Sequence, residues 1–219
     1  MSKRKKHFLV AGLGRFGASV ALTLQDLGYD VLGVDDDENL VQDISGRLNY
    51  VICADASNEK TLQSISLSDI DVAVVAIGDL EGNMMCTMML KEMGVPRVVT
   101  KALNELHGKM LEKIGADKVV YAEKDMGERV AHNLISNSIM DYIELSSDIS
   151  VMSLHVPEDL IGKNLIEANL RKLYNVNVVG IRRKNRTIVN PEPTQKFCAG
   201  DELIIIGAHD GVTRMGVDF

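Results

Sequence analysis

From His7 to about Asp148, short β-branched apolar runs alternate with stretches of helical periodicity. The pattern predicts strands at Phe8–Ala11, Asp30–Val34, Tyr50–Cys53, Val72–Ala76, Arg97–Thr100 and Lys118–Tyr121. Helices are predicted between and after them, at Phe16–Leu27, Glu38–Arg47, Glu59–Ile65, Gly82–Met93, Glu105–Ile114 and Asp125–Ser138. A run such as Val72-Ala73-Val74-Val75-Ala76 has no polar face, so it reads as a strand covered on both sides. Strands of that kind alternating with helices imply right-handed βαβ crossovers and an α/β fold built on a doubly wound parallel sheet.

The pattern changes after Ser146-Ser147-Asp148. Strands become shorter and closer together, at Ser150–Val156, Val176–Arg182, Thr187–Val189 and Glu202–Ile206. Lys184-Asn185 reads as a hairpin turn, Ala199-Gly200-Asp201 opens the last strand, and one helix is expected at about Asn164–Leu173. Pro157, Pro191 and Pro193 fall in this last third, as suits turn-rich structure. Two domains are therefore expected, a parallel α/β domain over 1–145 with Asp125–Ser138 as a linking helix, and a small α+β domain over 146–219.

Composition narrows the function classes. The 219 residues are 46% hydrophobic and 25% charged, ordinary for a globular protein, and the formal net charge is −7. That balance argues against a protein built to grip nucleic acid. The Lys3, Arg4, Lys5, Lys6 run reads as a frayed, solvated terminus. Cys53, Cys86 and Cys198 are isolated thiols that point to a reducing, cytoplasmic setting, and the five His residues show no metal-ligand spacing. No run approaches the roughly 20 apolar residues of a membrane-spanning helix. Met84, Met85, Met88, Met89 and Met93 form a stripe at helical spacing, read as a packing face or a subunit interface.

The chemistry sits in Gly12-Leu13-Gly14-Arg15-Phe16-Gly17, a G-x-G-x-x-G that follows an apolar strand and opens a helix. Asp35, in Gly33-Val34-Asp35-Asp36, ends the next strand roughly 20 residues on, which completes a Rossmann dinucleotide fingerprint. Gly12 permits the turn, Gly14 lets backbone approach a pyrophosphate, and Gly17 lets helix and strand pack closely. The helix N-terminus offers its N–H groups to phosphate. Asp35 can accept from both ribose hydroxyls and would repel a 2′-phosphate, favouring NAD, ATP or ADP over NADP. Arg15 is positioned to pair with phosphate oxygens, with a surface salt bridge as its other reading. Asp55, in Ala54-Asp55, is either a ligand contact on the carboxyl edge or a turn and cap residue for the next helix. Ala76, Ile77 and Gly78 end the fourth strand on that edge, and Lys101 ends the fifth. Neither His155 nor His209 has an evident carboxylate partner, so no catalytic set accompanies the loop.

These segments resemble the cytosolic gating subunits of bacterial Ktr/Trk potassium-uptake systems, which carry RCK (KTN) domains. The resemblance spans nearly the whole chain. It is carried by Val10–Gly17, Val34-Asp35 and Val75–Gly78, and more specifically by Leu111-Glu112-Lys113-Ile114-Gly115-Ala116-Asp117 and Glu123-Lys124-Asp125-Met126-Gly127. Asp159–Leu165 and Gly200-Asp201-Glu202-Leu203-Ile204 resemble the family's C-terminal domain. The resemblance implies a non-enzymatic subunit that forms an octameric ring beneath a membrane potassium channel subunit, peripheral on the inner face of the membrane. It implies competing ATP and ADP, with NAD(H) also bound in the family. By position, Arg15 would contact the terminal phosphate, Asp35 the ribose and Asp55 the adenosine end. Glu123 would lie at a dimer interface where relatives hold a divalent cation, Mg or Ca. Some relatives bind cyclic di-AMP between paired C-terminal domains, where Leu170, Arg171, Asn177 and Pro193 fall in comparable places. The chain departs from some relatives in carrying Asp55 where they have a neutral residue. A small NAD-dependent oxidoreductase, or the same sensor serving another transporter, are the other readings.

Overall fold

The structure, a computed structural model, describes residues 5–135, 139–146 and 148–215. Lys3 and Arg4 of the basic run, Ser136–Ser138 at the end of the expected linking helix, and Ser147 lie outside the described residues. The chain divides into two compact units, with the boundary in sequence between Glu123 and Lys124.

The first unit runs β1 (His7–Ala11), α1 (Arg15–Asp26), β2 (Asp30–Asp35), α2 (Glu38–Ser45), β3 (Tyr50–Cys53), α3 (Glu59–Ser64), β4 (Val72–Val75), α4 (Leu80–Glu92), β5 (Val98–Lys101), α5 (Glu105–Ile114) and β6 (Lys118–Val120). The six strands are parallel, in the order β3-β2-β1-β4-β5-β6. This is the Rossmann strand order. Alternate residues of β1 serve opposite faces. Leu9 and Ala11 join a core with Leu62, Cys86 and Leu90, while Val10 joins another with Ala21, Ile44 and Leu48. Two buried faces explain why the central strands show no polar alternation.

Helix ends are set by local side chains. Asp37, Asn58, Asp79 and Asn104 cap α2, α3, α4 and α5 through their side-chain oxygens. Asp79 starts α4 before the expected Gly82. The methionine stripe on α4 is split: Met89 is buried and Met93 packs against the same core, while Met85 and Met88 are exposed. On α5, His107 is buried with Nδ1 accepting from the Leu103 N–H. Desolvation lowers its pKa, so it is a neutral core histidine.

The second unit comprises the rest of α6 (Ala122–Ile135), β7 (Ile139–Ser146), β8 (Ile149–His155), α7 (Leu165–Ala168), α8 (Leu170–Tyr174), β9 (Val176–Arg183), β10 (Arg186–Val189), β11 (Glu202–Ala208) and α9 (His209–Thr213). Its five strands form an antiparallel sheet in the order β10-β9-β11-β8-β7. The sequence pattern does not predict β7. Its pairing with β8 shifts register between Ile139 and Asp141 and again between Glu144 and Ser146, which destroys the alternation that marks a strand. The single helix expected at Asn164–Leu173 is two short ones, because Asn169 takes a left-handed conformation (φ 45°) between them. Asn164 and Glu167 close a reciprocal capping box on the first. No helix of the described residues is long and apolar enough to cross a membrane.

Phe197, Leu203, Ile205, Met152 and Leu154 centre the second core. Beside it, the buried Asp201 accepts bidentately from Arg183 (Nε–Oδ1 2.7 Å, Nη2–Oδ2 2.7 Å) and also from the Cys198 N–H (2.7 Å). The Arg183 hydrogen bonds hold the Asp201 carboxyl below the usual aspartate range, against the desolvation that burial imposes. A pKa depressed by folding gives stability that is full above the unfolded value of about 3.9 and is lost as pH falls through the folded value. Asp201→Asn should therefore cost about 2 kcal/mol at pH 7. That figure is held down by the one-third exposure of the Arg183 side chain. Urea unfolding of wild type and variant should converge as pH drops below about 4; an equal gap at pH 7 and pH 3 would show that the ion pair is not its source.

Candidate functional site

β1 lies between β2 and β4, so the connections leaving β1 and β4 diverge at their carboxyl ends. Open α/β sheets bind ligands in the crevice at such a switch point. The glycine loop sits there. Gly12 has φ 91°, and its N–H donates to the Val34 carbonyl at 2.8 Å. A Cβ on Gly12 would stand 2.6 Å from the Ala76 carbonyl carbon and 2.7 Å from the Ile77 nitrogen. A Cβ on Gly17 would stand 1.8 Å from the Gly12 carbonyl oxygen. The fold therefore imposes both glycines.

Gly14 is different. Its φ of −60° suits any residue, and no protein atom lies within 4 Å of the position its Cβ would take. Packing within the unit gives no reason for glycine here; close approach of something outside the chain does. The helix that follows is also left open. α1 has no side-chain cap and no acidic residue in its first turn, whereas α2 to α5 each close their N-termini with their own side chains. Its first N–H groups and its positive dipole end remain available to an anion. Arg15, the first residue of α1, is exposed and forms no ion pair or hydrogen bond among the described residues. Leu13 and the half-buried Phe16 turn into the core and anchor the loop from below.

Asp35 ties this loop to the end of β2. Its Oδ2 accepts from the Leu13 N–H at 2.5 Å and its Oδ1 from the Asp37 N–H at 2.8 Å. A carboxylate has about four acceptor positions, so capacity for ribose hydroxyls remains. Asp36 is exposed, and the Ala54 N–H donates to the Asp35 carbonyl, which brings the ends of β2 and β3 together. Asp55 Oδ1 accepts from the Ser57 N–H (2.8 Å) and hydroxyl (2.6 Å), forming a turn; the cap of α3 is Asn58.

Across the switch point, buried Ala76, half-buried Ile77 and exposed Gly78 follow β4. The buried Asn83 joins this strand end to the next one. Its Nδ2 donates to the carbonyls of Ile77 (3.1 Å) and Lys101 (3.3 Å), and its Oδ1 accepts from the Thr100 hydroxyl (2.9 Å). Asn83 belongs to no sequence motif. Its signal is an amide on the helical face of Cys86, Thr87 and Leu90, all buried. Lys101 is largely buried, and its Nζ lies 3.1 Å from Glu123 Oε1. That hydrogen bond holds the Glu123 carboxyl below the usual glutamate range. Glu123 thus already neutralises the nearest cation. Among the described residues no three His, Cys, Asp or Glu side chains converge as a metal site.

In the second unit, Arg171 on α8, Asn177 on β9 and Pro193 are exposed. The Pro193 carbonyl accepts from the Ile166 N–H at 3.3 Å, which places it beside α7. Leu170 is a core residue, 3% exposed.

The TrkA-N domain model matches residues 8–122 and the TrkA-C domain model residues 151–216. The chain is 37% identical over 211 residues to Ktr system potassium uptake protein C of Bacillus subtilis, covering 96% of both chains. Among solved structures it resembles the GsuK channel bound to NAD (TM-score 0.68, 13% identity), covering 96% of this chain and 39% of that one. It also resembles GsuK bound to ADP (TM-score 0.51, 24% identity), covering 61% of this chain and 34% of that one. The chain thus spans about two fifths of the length of the channel it matches over nearly its whole extent. A TrkA-N domain followed by a TrkA-C domain, at this identity and coverage, makes the chain a member of the Ktr/Trk family of potassium-uptake proteins.

Proposed function

We propose that this chain is a non-enzymatic gating subunit of a potassium-uptake system, which senses adenine nucleotide at the Gly12–Gly17 loop and acts on a membrane potassium channel subunit. The observation that carries the nucleotide site is Gly14, a glycine that the fold does not require, set at the open N-terminus of α1. Gly14 leaves room for a pyrophosphate to approach the backbone, the first N–H groups of α1 donate to it, and Asp35 takes the ribose. The GsuK structures bound to NAD and to ADP support nucleotide binding by this fold, and the likeness to Ktr system potassium uptake protein C supports the potassium-uptake role. Asp36, Ala54 and Asp55 would border the adenosine end and Ala76, Ile77 and Gly78 the opposite wall.

ATP and ADP are favoured over NAD(H) because Arg15 has a guanidinium to spare at the phosphate end of the loop. A γ-phosphate that Arg15 engages in one assembly state and not in another gives the two nucleotides different affinities for the two states, and only such a difference shifts an equilibrium. The assembly in this reading is a ring of identical subunits, octameric by family resemblance. Glu123 would bind Mg or Ca only with ligands from a neighbouring copy, and in competition with Lys101. Arg171, Asn177 and Pro193 remain the places for cyclic di-AMP at a paired C-terminal domain. The oxidoreductase alternative has no observation in its favour beyond the loop itself.

Two glycine substitutions separate binding from folding. Gly14→Val should lower the unfolding free energy measured in urea by no more than about 1 kcal/mol, the order of losing a favoured N-cap residue, and abolish ADP binding in calorimetric titration. Gly17→Ala should lower stability by about 2 kcal/mol or more, since the obstructing atom is backbone. Full ADP affinity in Gly14→Val would overturn the site. Arg15→Ala should weaken ATP about ten-fold more than ADP, roughly the worth of a charge-assisted hydrogen bond; equal losses would show that Arg15 does not read the terminal phosphate.

A further inference from the structure

The tip of the β9–β10 hairpin concentrates positive charge in a chain of net charge −7, with Arg182, Arg183, Lys184 and Arg186 in near succession. Two of these cations are compensated. Arg182 Nη1 donates to both oxygens of Glu202 (2.8 and 2.9 Å). Arg183 is held by Asp201 and by the Lys196 carbonyl (2.9 Å). Lys184 and Arg186 face no acid among the described residues. Arg186 also stands directly opposite Arg183 in the antiparallel ladder, where like charges are unfavourable.

The turn chemistry is equally unusual. Lys184 opens the two-residue turn at φ 53°. The other non-glycine residues with positive φ among the described residues, Asn169, Asn175 and Asn190, are all asparagines, the side chain that tolerates this region. A lysine at that φ is strained. Charges on an edge strand such as β10 do guard against unwanted pairing, but that role calls for neither a lysine in the turn nor a concavity. A concavity is present. A cavity of about 700 Å³ is lined by Arg183, Lys184, Asn185, Arg186, Ile188 and Gln195, within the size range of small-molecule sites.

We propose that this cavity binds a phosphate-bearing anion, at a site separate from the nucleotide loop. Lys184 and Arg186 supply the charge, and Arg183 is pre-positioned by Asp201 with its Nη1 hydrogens not used in that pairing. Asn185 and Gln195 add amide hydrogen bonds and Ile188 an apolar floor, which suits an organic phosphate or a phospholipid headgroup. An anion in the cavity relieves the Arg183–Arg186 opposition that the empty hairpin retains.

The test uses the full chain saturated with ADP, so that the glycine loop is filled. Glycerol phosphate is titrated calorimetrically, and phosphatidylglycerol–phosphatidylcholine vesicles are added in a sedimentation assay. The double variant Lys184→Asn, Arg186→Gln should fold normally, since Asn suits the turn; its ADP affinity and thermal midpoint are the control. Saturable glycerol phosphate binding, weakened ten-fold or more in the variant, supports the site and assigns a free phosphate ester. Vesicle binding alone, lost in the variant and absent with pure phosphatidylcholine, supports it and assigns the headgroup. No binding of either probe, or binding that the variant leaves unchanged, overturns it.

Discussion

A backbone contact with no room for a side chain organises the ligand edge of the first unit. Gly17 in α1 packs on the Gly12 carbonyl, and Gly12 in turn packs on the backbone of Ala76 and Ile77 beyond β4. The start of α1 is thereby drawn down against the two central strands, and its N-terminus is aimed at the switch point of the sheet. Everything else at the edge follows from that placement. Leu13 drops into the core, Gly14 is left facing open space, and Arg15 becomes the first side chain of the helix on the solvent side.

Asp35 gives the arrangement its coupling. The carboxylate suited to ribose hydroxyls already receives the Leu13 N–H from inside the glycine loop. In the proposed site, ribose and phosphate contacts would share one hydrogen-bonded frame, running from β2 through Asp35 to the loop and α1. Asn83 does the corresponding work on the other side, binding the ends of β4 and β5 through the Ile77 and Lys101 carbonyls. Both connections are directional and join segments separated along the chain. A ligand held between them meets a preformed edge, and little ordering entropy has to be overcome on binding.

Much of this was legible in the sequence because it depends on local constraints. Glycine spacing, an acid at the end of the second strand and unbroken apolar strands each have one structural cause, and the parallel sheet and the loop follow from them. Asn83 was not legible because its role depends on two strand ends distant in sequence. At Asp55 the local pattern admits a turn or a helix cap, and the structure shows its oxygen on Ser57 in a turn and the cap of α3 on Asn58. β7 escaped because its register shifts erase alternation, and the helix after Asn164 was read as continuous because nothing in its composition marks Asn169 as left-handed. Gly200-Asp201-Glu202 is one of the segments that resemble the family's C-terminal domain. In the structure its acids are pairing partners of Arg183 and Arg182.

The proposed sensor role requires that nucleotide occupy the edge that Gly12–Gly17 and Asp35 define. The most direct measurement is the experimental structure of the full chain at saturating ATP. The account predicts phosphates against the backbone of Gly14 and the first turn of α1, with the ribose hydroxyls on Asp35. An empty switch point at saturating ATP, or a nucleotide bound elsewhere on the chain, would contradict it.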